Sequence, residues 1–120
     1  MAIVFYTNNT IQPQTNSFCG AVPTSVTQGW DLKDSHAPVS NDEARSCTLL
    51  DVTAGTIITV FDSPSASTGD DWTEIVVKQN IVSYTISSFE KNIDDAYVTQ
   101  TFHKHNGLDG KISNIQIKAS

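Results

Sequence analysis

The chain has 120 residues and a mass of 13.0 kDa, enough for one modest hydrophobic core and no second enzyme-sized domain. Seven Lys and Arg stand against 13 Asp and Glu, a formal net charge of −6. That balance argues against a nucleic-acid phosphate backbone or an anionic membrane surface as partner, and no apolar run is long enough to span a bilayer.

The opening, Met1-Ala2-Ile3-Val4-Phe5-Tyr6, is a short apolar strand. It lacks the basic segment and long apolar run of a secretory leader, so a cytoplasmic location is expected over a secreted one. Asn8-Asn9-Thr10 is a glycosylation sequon that matters only in a secreted chain. Cys19 and Cys47 are either two reduced thiols or one bridge; their spacing is not that of a metal-binding pair. Gly20 to Ser40 carries two prolines and little pattern, and reads as a strand followed by a long loop.

Period-two alternation with β-branched residues then dominates. Strands are expected at Thr56–Phe61, Trp72–Lys78, Ile81–Ile86, Tyr97–Phe102 and Ile112–Lys118. A polar Gly/Pro loop covers Asp62–Asp71, and Asn106-Gly107 and Asp109-Gly110 are turn dipeptides. No ten residues show helical periodicity; single helical turns are conceivable only at Asp42–Ser46 or Ser87–Lys91. The expected architecture is all-β, a sandwich in one domain spanning 1–120. Its expected core is Val4, Tyr6, Cys47, Leu49, Ile58, Val60, Ile75, Val77, Ile115 and Ile117.

An internal repeat divides the chain into halves of about 1–53 and 54–120. Each half begins with an aromatic-ended strand, Ile3–Asn9 and Ile58–Pro64. Each ends in a polar turn feeding a strand, Asn41-Asp42-Glu43-Ala44-Arg45-Ser46 and Asp109-Gly110-Lys111-Ile112-Ser113-Asn114. With these motifs the chain resembles the βγ-crystallin superfamily, especially its microbial members. The resemblance implies two four-stranded Greek keys sharing one core, and a non-enzymatic, compact protein with a stress, dormancy or development role.

The resemblance also implies calcium at the signature turns. Carried over, one site would take the Ser113 hydroxyl, the Lys111 carbonyl and the Asp42 carboxylate, with the Asp62 or Ser63 carbonyl nearby. Such a donor set suits a hard cation. The other site looks broken, because Arg45 stands where a hydroxyl is needed and Gly110 where a carboxylate is needed.

Other constellations are weaker. His103-Lys104-His105 with Asp109 has transition-metal ligand types. Asp70-Asp71 and Asp94-Asp95 have the residue types to seat a cation or act as acid and base, and read first as charged loop tips. Ser35-His36 is not a triad, and no nucleophile or phosphate-loop motif is present, so no enzyme is expected. Trp30 and Trp72 read first as core residues and are the candidate ligand-binding residues of an alternative reading. In it the chain is a glycan-binding, lectin-like or defence module, with Trp72 exposed by strand parity. A third reading presents the Asp62–Asp71 loop to a hydrolase as an inhibitor.

Overall fold

The computed structural model describes residues 1–9 and 17–120; Thr10 of the sequon lies outside them. Ten strands and no helix occur among the described residues. They are β1 (Ala2–Tyr6), β2 (Phe18–Pro23), β3 (Gln28–Asp31), β4 (Ser46–Val52), β5 (Ile57–Phe61), β6 (Trp72–Val77), β7 (Ile81–Ile86), β8 (Ile93–Asp94), β9 (Val98–His103) and β10 (Asn114–Lys118). All pairings are antiparallel and form two sheets. One has order β2-β1-β4-β7, the other β3-β10-β5-β6-β9-β8.

Connectivity crosses between the sheets five times, and two of its excursions are alike. After the β1–β2 hairpin, β3 leaves to pair with β10, and β4 returns beside β1. After the β5–β6 hairpin, β7 leaves to pair with β4, and β10 returns beside β5. Each half therefore lends its third strand to the other half's sheet, which ties the two sheets around one core.

The alternation of the later strands follows the expected parity. Ile58, Val60, Ile75, Val77, Ile115 and Ile117 are buried, with Cys47 and Leu49 opposite them in the other sheet. The first strand departs from it. Ile3 and Phe5 are buried, whereas Val4 and Tyr6 are only half-buried. Every residue of Ile3–Tyr6 is apolar or aromatic, so alternation carries no parity there. Phe5 packs against Phe89, with ring centroids 6.0 Å apart. The Gly20–Ser40 segment holds most of β2 and a further short strand, β3, and the two-residue β8 had no sequence signal. Asn41–Glu43 is a turn, and 87–91 is irregular.

Both cysteines are free thiols. They lie on β2 and β4, with β1 between them. Two strand spacings, about 9.6 Å, exceed the reach of a disulfide. Burial pushes the Cys47 thiol far up, and burial with the nearby Glu43 charge raises Cys19 to about 11.

Candidate functional site

The two signature turns lie against each other, and their hydrogen bonds correspond one for one. The Asp42 N–H donates to the Ile112 carbonyl at 3.1 Å, and the Gly110 N–H to the Ala44 carbonyl at 3.2 Å. The Ser113 N–H donates to the Phe61 carbonyl at 2.8 Å, and the Arg45 N–H to the Tyr6 carbonyl at 2.8 Å. Asp62 N–H reaches the Asp71 carbonyl at 2.9 Å, as Thr7 N–H reaches the Ser17 carbonyl at 2.7 Å. Asp42 and Gly110, the second residues of the two turns, are both left-handed, with φ 58° and 72°. Gly takes that conformation freely, and Asp is among the few others that tolerate it.

This choice makes the two turns chemically different. At the first pairing, the Ser113 hydroxyl donates to Asp42 Oδ1 at 2.9 Å and lies 3.4 Å from the Lys111 carbonyl. Ser113 is buried, while Asp42 is exposed. Asp42, Asp62, Ser63 and Ser113 line one open cavity of about 450 Å³, together with Asp70 and Lys33. The Ser63 carbonyl already accepts the Ala66 N–H at 3.1 Å, which leaves the Asp62 carbonyl as the freer donor. Carboxylate oxygens of Asp62, Asp70 and Asp71 lie within 4.8 Å of one another. Burial, then the neighbouring Asp70 charge, raises the Asp62 carboxyl above its ordinary range, although Lys111 pulls the other way.

At the second pairing the space is filled from within. A Cβ on Gly110 would meet the Arg45 guanidinium at 3.2 Å. The Asn9 side-chain amide points at three oxygens: the Ser87 carbonyl at 2.9 Å, Asp109 Oδ2 at 3.1 Å and the Arg45 carbonyl at 3.4 Å. Ser46 Oγ donates to the Asn8 carbonyl at 2.5 Å.

The donor set at the first pairing fits a hard cation. It is all oxygen, and Ser113 Oγ and Asp42 Oδ1 are spaced as two ligands of one calcium sphere would be. A divalent ion would also relieve the crowding of Asp62 and Asp70. Lys33 on the cavity wall and the Lys111 charge oppose it and weaken the site.

Comparison with known proteins yields no matching family model, no matching curated protein and no matching solved structure.

The remaining candidates are not assembled into sites. Trp72 is half-buried rather than exposed, and is flanked on both sides. His103 of β9 stacks on it at 3.8 Å and 6°, and Phe61 of β5 lies 6.1 Å away at 16°. Trp30 is half-buried on β3, packed on the core beside a small depression with Asp34 and His36. His103 is thus part of an aromatic row, while Asp109 is bound to Asn9; among the described residues His103, His105 and Asp109 form no three-ligand cluster. Ser35 Oγ and Asp34 Oδ1 both approach the same ring nitrogen of His36, at 3.1 and 3.7 Å, whereas a triad needs opposite nitrogens.

Asp71 is no loop tip. It is fully buried, and its carboxylate accepts the backbone N–H groups of His105, Asn106 and Gly107 at 2.8–3.0 Å. Glu90 Oε2 accepts those of Leu108 and Asp109. Asp95 likewise anchors its turn through the Tyr97 and Val98 N–H groups, and Asp94 pairs with Lys78. Asp70, Lys33, Asn9 and Glu90 carried no motif that would have placed them; only the Asp70-Asp71 pair hinted at a charged centre.

Proposed function

We propose that this chain is a non-enzymatic β-sandwich of two Greek keys, of βγ-crystallin type, whose first turn pairing takes one weakly bound calcium ion as a structural ion. The observation that carries the reading is the matched bonding of the two turns, with Ser113 Oγ on Asp42 Oδ1 at the mouth of an oxygen-lined cavity. The reciprocal exchange of third strands between sheets supports the Greek-key assignment. The role that fits is that of a compact, durable protein of stress or dormancy. The glycan-binding reading has less support, since Phe61 and His103 flank the Trp72 ring that would stack on a sugar.

The test is a thermal melt in EDTA and across a calcium series. An ion that binds only the folded state stabilises by about 2.7 kcal/mol at a hundredfold excess over its dissociation constant. The expected result is a rise in melting temperature that Ser113→Ala and Asp42→Asn each abolish, while Asp51→Asn, at the other end of β4 from the signature turn, leaves it intact. No shift at millimolar calcium in the unaltered chain overturns the calcium reading.

A further inference from the structure

We propose that β7 pairs antiparallel with β7 of a second copy of this chain, joining two four-stranded sheets into one across a two-fold axis. The proposal is independent of calcium and rests on how the four sheet edges differ.

Open edges invite pairing, and proteins blunt them with charge, proline, shortness, bulges or cover. Three of the four edges here are blunted. On β2, the edge is covered by a bridge from Gly20 to Val39 and by the Ser40 N–H on the Cys19 carbonyl. It also carries a bulge opposite Phe5/Tyr6 and ends in Pro23. A Cβ on Gly20 would sit 2.2 Å from the Pro38 carbonyl oxygen, so glycine is what lets the covering segment approach. The β3 edge has four residues and an aspartate, and β8 has two residues and an aspartate. The β7 edge is different. Its sequence, Ile-Val-Ser-Tyr-Thr-Ile, has six residues with strong strand preference, no charge and no proline. Its backbone pairs only with β4 among the described residues. Val82 is 86% exposed, and Ser83 and Thr85 are exposed beside it.

Symmetry fixes the pairing. An antiparallel edge pair about a two-fold axis normal to the sheet keeps like faces together, so residues opposite each other have the same parity. Centring on Tyr84 sets Tyr84 against Tyr84, Val82 against Ile86 and Ser83 against Thr85. These aromatic, aliphatic and hydroxyl matches are the favourable kind. The flanking charges agree. Asp51 lies between Leu50 and Val52, the partners of Ser83 and Ile81, and is exposed, with the Met1 ammonium 3.9 Å away. Lys91 donates to Ser87 Oγ just beyond Ile86. Antiparallel pairing turns the Asp51 end of each copy toward the Lys91 end of the other. A second copy is thus the occupant that this edge suits, since a molecule of charge −6 meets itself best through a strand that is itself uncharged with opposite charges at its ends. The Asp95 carboxylate that accepts the Tyr84 hydroxyl near the axis opposes the contact, with the Lys78 charge beside it.

Two edge strands bury less than the roughly 1,600 Å² of a standard interface, so the pairing is weak and concentration-dependent. Sedimentation velocity from about 10 μM to about 1 mM covers the range of such contacts. The expected result is a mass rising from 13.0 kDa toward its double. Ser83→Lys with Thr85→Lys sets lysine against lysine twice and should hold the chain at monomer mass throughout. Ser83→Lys with Thr85→Glu sets lysine against glutamate twice and should restore association. Both variants alter exposed positions, and equal melting temperatures show that both fold. A monomer at every concentration, dimers indifferent to the double lysine, or failure of the Lys/Glu variant to restore them each overturns the proposal.

Discussion

At the scale of single residues, the turns show how one backbone demand yields two chemistries. Positions 42 and 110 must both be left-handed. Asp satisfies that demand and keeps a carboxylate; Gly satisfies it and leaves room that Arg45 fills. Asp71 shows the cost and the use of a buried charge. Burial pushes its carboxyl up, but three backbone N–H donors outweigh that and hold it below the ordinary carboxylate range. A buried anion persists only when so compensated. Asp71→Asn keeps the shape but turns an amide NH₂ toward N–H donors. The expected loss is about 2–3 kcal/mol in urea denaturation, because hydrogen bonds to charged groups are the strong ones. Hydrogen exchange should report faster amides at His105, Asn106 and Gly107; a stability change under about 0.5 kcal/mol would show that the anchor is dispensable.

At the scale of strands, β1 is the instructive case. Its four apolar residues give no period, so its inward face emerged only from its neighbours. Phe5 lies opposite Cys47 and packs on Phe89, and Ile3 lies opposite Leu49. Phe5→Ala should cost about 3–5 kcal/mol, as truncation of a buried aromatic does. Val4→Thr, on the outer face, should cost under about 1 kcal/mol. Chemical denaturation of the pair checks the parity, and a reversed order of costs would refute it. Strands with a regular alternation are readable from sequence: β10 sets Ile115 and Ile117 against Asn114, Gln116 and Lys118, and β6 sets Thr73, Ile75 and Val77 against Trp72, Glu74 and Val76. Of the candidate site, Asp42, Asp62, Lys111 and Ser113 were readable because a short motif recurs. Asp70 was readable only as half of an acidic pair, and Lys33, Asn9 and Glu90 were not. Their placement depends on loops that meet only after both sheets have formed, and Asn9 and Asp109 are 100 positions apart. The β8 strand, two residues long, exists because β9 offers it an edge.

At the scale of the whole molecule, the carboxylates divide into two groups with opposite effects on acid stability. Hydrogen bonds from backbone donors lower Asp71, and a Tyr84 hydrogen bond with turn N–H groups lowers Asp95. The same bond, after burial, pushes the Tyr84 hydroxyl up to about 12. A carboxyl lowered in the folded state contributes stability that is complete above its unfolded value and vanishes as pH falls through the folded one. Burial raises Asp62, helped by Asp70, and raises Asp109 against the pull of the Asn9 hydrogen bond. For these the sign reverses: above the unfolded value of 3.8 the folded chain holds protons more tightly than the unfolded one, so stability climbs as pH drops from neutrality. Asp95 is exposed and its share is screened, which leaves buried Asp71 to dominate the acid limb. The melting temperature should therefore peak between pH 3.8 and neutrality and then fall. Asp62→Asn should raise the neutral-pH melting temperature without calcium and flatten the climb; Asp71→Asn should remove much of the acid fall. Calorimetry across pH reads both limbs, and a monotonic rise from acid to neutrality would contradict the raising of Asp62 by burial and by Asp70.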